Sequence, residues 1–64
     1  MNLNKQKLEI ALAQVCKNPY DLCKETGLQY QTYRRVANGN NCKPATVGKI
    51  AKALNCDVTE LLEE

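Results

Sequence analysis

Asn18-Pro19-Tyr20-Asp21-Leu22-Cys23-Lys24-Glu25-Thr26-Gly27-Leu28-Gln29-Tyr30-Gln31-Thr32-Tyr33-Arg34-Arg35-Val36-Ala37-Asn38-Gly39 is the stretch from which the rest of the chain can be read. Asn18 is a good helix cap, and Pro19 suits a first helical turn because its missing N–H has no partner there anyway. A helix is expected over Pro19–Thr26, with Leu22 and Cys23 turned inward. Gly27 ends it, where a left-handed residue must turn the chain, and Leu28 follows as a buried plug. A second helix starts at Gln29 or Tyr30 and runs to Asn38. Tyr33, Val36 and Ala37 form its inner face. Tyr30, Gln31, Arg34 and Arg35 fall on the opposite side. Two short helices about a glycine corner make a helix-turn-helix, and the outward residues are types that bond base edges and phosphates.

Helical periodicity extends in both directions. Upstream, Leu8, Ala11, Leu12, Val15 and Cys16 mark one apolar stripe on a first helix from about Asn4 to Cys16. Downstream, Asn38-Gly39-Asn40-Asn41 is a turn cluster. Lys43-Pro44 leads into a helix over Ala45–Leu54 with Val47, Ile50, Ala51 and Leu54 as its core face. Asn55 can take the left-handed exit conformation. Asp57-Val58-Thr59-Glu60 has the form of a capping box and is expected to open a fifth helix from Val58 to about Glu63, with Val58, Leu61 and Leu62 apolar. No segment alternates as a strand would. The expected fold is all-α: a compact five-helix domain occupying residues 1–64.

Size and composition narrow the function. A chain of 64 residues buries only about 60% of its unfolded surface and has little room for an enclosed active site. It contains no histidine and no serine, and it has no glycine-rich phosphate loop. Its thiols lie beside no obvious base, so an enzyme is not expected. Cys16, Cys23, Cys42 and Cys56 are separated by 6, 18 and 13 residues. That spacing suits neither a zinc site nor a disulfide framework, so the thiols read as small apolar fillers. Cys42 differs, because it falls in a polar loop and reads as an exposed thiol. No metal and no small-molecule cofactor are expected. No membrane-spanning run or secretion signal is visible, so a cytoplasmic location is expected.

The net charge is only +2, yet residues 17–52 carry seven cations against Asp21 and Glu25. The acids Asp57, Glu60, Glu63 and Glu64 gather at the other end. A basic middle suits a polyanion, and the acidic tail should face away from it.

The order of these signals resembles the Cro/repressor-like (XRE-type) helix-turn-helix family, whose fold is lambda-repressor-like. The resemblance rests on Leu22-Cys23-Lys-Glu-Thr-Gly27, Asn38-Gly39, Lys43-Pro44, Lys49-Ile-Ala-Lys-Ala-Leu54 and the apolar-Asp-x-x-Glu-Leu start of the fifth helix. It covers nearly the whole chain and implies double-stranded DNA as partner. It implies base reading by Tyr30, Gln31 and Arg35, where Gln suits adenine and Arg suits guanine. It implies phosphate contacts from Asn18, Tyr20, Gln29, Arg34, Asn40, Asn41 and Lys43. Three departures stand out. Pro19 replaces a phosphate-clamping glutamine. Leu12 and Ala37 together replace an arginine–glutamate pair, which avoids an unpaired buried charge and predicts a contact between them. Cys16 replaces the glycine that ends the first helix.

Such readers act as two-fold dimers on half-sites about one helical turn, roughly 34 Å, apart. The surface expected for a homodimer is Cys56, Val58, Leu61 and Leu62. The leading function is transcriptional regulation, as a repressor. The alternatives on the same fold are an antitoxin or mobile-element accessory protein, and a protein-interaction module. An interaction module would more often show an apolar patch in place of the charged outer face.

Overall fold

In a computed structural model, which describes residues 1–63, the chain runs through α1 (Lys5–Gln14), α2 (Pro19–Thr26), α3 (Tyr30–Ala37) and α4 (Pro44–Ala53) to a 3-10 turn at Val58–Glu60. Glu64, part of the acidic tail and of the expected domain, lies outside the described residues. No helix among them is long and apolar enough to cross a membrane.

The first helix begins and ends inside its expected limits. Asn4 is the cap, and its Oδ1 accepts from the Lys7 N–H at 2.9 Å. At the other end the helix stops at Gln14, because the chain turns through Cys16 with φ 57°. The Cys16 N–H donates to Ala13 O at 3.1 Å and the Lys17 N–H to Leu12 O at 3.0 Å, a Schellman closure. Cys16 therefore stands at the pivot, exposed, and not on the apolar stripe as expected. A left-handed pivot costs a residue with a Cβ roughly 1–2 kcal/mol.

The same closure ends α3 and α4. Gly39, at φ 89°, donates to Val36 O while Asn40 donates to Arg35 O. Asn55, at φ 56°, donates to Lys52 O while Cys56 donates to Ala51 O. The expected roles of Asn38-Gly39 and Asn55 are realised in these bonds. Gly27, at φ 76°, ends α2 with its N–H on Cys23 O at 2.9 Å.

The fifth helix does not form. Its capping box does: the Glu60 carboxylate accepts from the Asp57 N–H, and the Asp57 carboxylate accepts from the Thr59 N–H and Oγ1. Those two Thr59 bonds hold the Asp57 carboxyl below its ordinary range. The chain then leaves the helical path. A continuing helix would send the Glu63 N–H to Thr59, but it donates to Asn2 O at 3.0 Å, and Leu61 O accepts from the Asn4 N–H at 2.9 Å. Leu3 and Leu62 thus form an isolated antiparallel bridge. Pairing with the N-terminal segment outcompetes a short helix whose nucleation is itself costly.

α2 packs against both α3 and α4, and α4 supports the terminal turn. Leu3, Leu8, Leu12, Leu22, Tyr33, Val36, Ala37, Val47, Ile50, Ala51, Leu54 and Leu61 are buried together. Leu12 and Ala37 therefore share the apolar interior where the family pattern has a charged pair. Leu28 is half-buried against this core. Leu61 has no exposed surface at all.

Candidate nucleic-acid interface

α3 is short, and its two faces are cleanly divided. Tyr33, Val36 and Ala37 are buried, whereas Tyr30, Gln31, Arg34 and Arg35 are exposed. Val36 and Tyr33 clamp the helix to the core, so the outward face cannot rotate without exposing them. Arg34 and Arg35 occupy its last turn, where the helix dipole favours cations.

Two shallow depressions show which expected residues the fold gathers. Gln31, Arg34, Arg35, Asn38 and Asn40 line one. Thr32, Arg35, Val36, Asn41, Cys42, Lys43 and Thr46 line the other. Arg35 belongs to both, so it sits between the outer face of α3 and the loop before α4. Asn40, Asn41 and Lys43 are all exposed on that loop.

The loop is held from outside the motif. Asn2 Nδ2 donates to Gly39 O at 2.6 Å, and the Cys42 N–H donates to Met1 O at 2.8 Å. The amino terminus donates to Asn41 Oδ1 at 2.7 Å and to Cys42 O at 2.8 Å. Among the described residues only the acceptor of the Asn41 side chain is used, so its NH₂ can still donate outward. Cys42 is half-buried and its thiol donates to Met1 O at 3.1 Å, so it is not the exposed thiol its loop suggested. The exposed thiol is Cys16. Burial pushes the Cys23 thiol up, and burial followed by Glu60 and Asp57 pushes Cys56 up, so both stay protonated and poorly reactive.

The opposite flank, at the start of α2, is arranged differently. Asn18 Oδ1 accepts from the Asp21 N–H at 2.9 Å, and the Asp21 carboxylate accepts from the Asn18 N–H at 3.2 Å. Pro19 has no N–H, and the Leu22 N–H donates to Asn18 O. The expectation that Asn18 and Tyr20 contact a phosphate is therefore narrowed. The Asn18 groups are spent inside the protein, and among the described residues the Tyr20 N–H is the first-turn amide left without a partner. The signal was present in the sequence: Asn18 with an acid three residues later is a capping-box pattern. The basic surplus is also reduced on this side, since Lys17 Nζ pairs with Glu25 at 2.7 Å and donates to Ala53 O at 2.9 Å.

Sequence reasoning placed Tyr20, Tyr30 and Tyr33 separately and missed that they form a ladder. The rings of Tyr20 and Tyr30 stack at 5.0 Å with 6° between their planes. Tyr30 and Tyr33 stack at 6.3 Å and 27°. Tyr33 is the buried rung, and burial, then Cys23, Glu9 and Tyr30, push its phenol up to about 12. Gln29 is the cap residue of α3 but makes no side-chain cap bond, which leaves its amide available.

Of the surface expected for a dimer contact, Cys56, Val58 and Leu62 are half-buried and accessible in part. Leu61 is not available, because its side chain is wholly inside the monomer. The sequence pattern missed this because it assigned Leu61 to a helix face, and the terminal bridge turns it inward.

Four helices around one core, a left-handed Gly27 corner and an exposed polar α3 define a helix-turn-helix DNA-binding domain. Residues 7–63 match the Cro/C1-type HTH DNA-binding domain, and the chain belongs to that XRE family. The family is one of DNA-binding, not catalytic, domains. No curated protein and no solved structure matches the chain.

Proposed function

We propose that this protein is a cytoplasmic, sequence-specific transcriptional regulator that represses by occupying its operator as a two-fold dimer. The observation that carries the reading is the exposed face of α3, with Gln31 and Arg35 beside the donors Asn40, Asn41 and Lys43. With α3 in the major groove, Tyr30, Gln31 and Arg35 read base edges. Gln29, Arg34, Asn40, Asn41, Lys43 and the Tyr20 amide hold the backbone. Repression by occupancy needs no catalytic group. Dimerisation uses Cys56, Val58 and Leu62, which lie apart from α3 in the chain and leave it unobstructed.

Selection of bound duplexes from a random pool tests the reading. The expected product is a palindrome with half-sites about 34 Å apart, roughly one helical turn. Arg35→Ala should then lose about 1–3 kcal/mol on that duplex and relax preference at one base pair. A pool that yields no enriched sequence, with association insensitive to salt, refutes it and favours a protein-interaction module.

A further inference from the structure

We propose that Tyr20 is a positioning residue for base readout, acting through Tyr30 by ring stacking. The inference rests on the DNA-reading role of α3 and adds a residue of α2 to the determinants of specificity.

Tyr30 is the first residue of α3 and is 40% exposed. Nothing polar restrains it: among the described residues its hydroxyl has no hydrogen-bond partner, and Gln29 supplies no side-chain cap. A long side chain at a helix start has more than one allowed χ1 rotamer. What selects one here is contact with two other rings. Tyr33, 5% exposed, anchors the inner side. Tyr20 closes the outer side, nearly parallel at 5.0 Å. Tyr20 is itself 68% exposed, so its ring contributes little to the core. Its position is set by Asn18 and Asp21, whose reciprocal bonds fix the turn that carries it. The device runs from a locally rigid cap, through Tyr20, to the ring that faces the groove. Offset stacking of this kind shifts a population by about 2–10-fold, which is the scale of the expected effect.

The test compares Tyr20→Ala and Tyr20→Phe on the duplex selected by the wild-type protein. Each variant is also put through the same random-pool selection, with salt titrations of affinity. Tyr20→Ala should bind about 2–10-fold more weakly, with flattened preference at one base pair and an unchanged salt slope. Tyr20→Phe keeps the ring and should restore both affinity and preference. In a Tyr30→Ala background, Tyr20→Ala should have no further effect on base preference. Uniform weakening of all sequences by Tyr20→Phe, with base preference unchanged, overturns the proposal in favour of a hydroxyl–phosphate contact. An unchanged preference profile in a folded Tyr20→Ala protein overturns it as well. If the wild-type protein selects no duplex, the DNA reading and this inference fall together, whereas the previous two outcomes sink this inference alone.

Discussion

The two flanks of α3 do the same geometric job by opposite means. At the α2 end, the protein satisfies most of its own first turn: Asn18 and Asp21 bond each other, Pro19 has no N–H, and the Asp21 carboxylate adds a negative charge there. At the other end, Asn40, Asn41 and Lys43 remain outward and carry no acid. The α2 flank is rigid from local bonds. The loop flank is held by bonds from Met1 and Asn2 across the chain. Attraction to the duplex should therefore come mainly from the loop side, and orientation from the α2 side.

The largest expected effect breaks the loop flank at its support. Leu3 is 1% exposed and fastens the segment that holds Gly39 and Cys42. Leu3→Ala should cost about 2–5 kcal/mol of unfolding free energy in urea titration, a large part of what so small a domain has. Its DNA affinity should fall further than that of a variant equally destabilised within α1. Equal losses would mean the strap does not shape the loop.

An intermediate effect tests the anchor of the other flank. The Tyr33 phenol is raised, so folding favours its protonated form. The associated stability is fully present below the ordinary tyrosine value near 10 and is lost as pH rises toward about 12. The loss should be on the order of 2–3 kcal/mol. Tyr33→Phe should flatten this part of the alkaline stability curve. Parallel wild-type and variant curves between these limits would show that the buried rung does not titrate as described.

The smallest effects carry opposite signs and sharpen the contrast directly. Lys43→Ala should weaken all duplexes alike and lower the salt slope by about 1. Asp21→Asn should tighten binding by about 2–5-fold, as removal of an exposed like charge does. Both are read by fluorescence anisotropy across a salt series, well below the melting temperature. Weaker binding by Asp21→Asn would show that the reciprocal cap matters more to the interface than its charge costs.

The helix-turn-helix was legible because its signals are local. Asn18, Pro19, Gly27 and the spacing of Tyr33, Val36 and Ala37 set α2, the corner and the buried face of α3 within a few residues of each other. The left-handed exit at Asn55 and the cap at Asp57 were legible for the same reason. The loss of the fifth helix was not. Its cap was read correctly, but the competing bonds come from Asn2 and Asn4, at the other end of the chain. The core role of Leu3 and the burial of Leu61 follow from that same pairing. Cys16 is an intermediate case: the missing glycine was noticed, but a pattern of apolar spacing placed the thiol inward when the turn required it outside.

By itself the sequence determined an all-helical chain with a polar recognition face, since capping, glycine corners and apolar period act over one or two turns and need no distant partner. Only the tertiary structure decided how the ends close and which rings stack beside that face. The Leu3–Leu62 bridge and the Tyr20–Tyr30–Tyr33 ladder join residues whose neighbourhood exists only after α2, α3 and the termini have packed. A contact between distant residues takes its free energy from packing and loop closure together, and no local pattern encodes that sum.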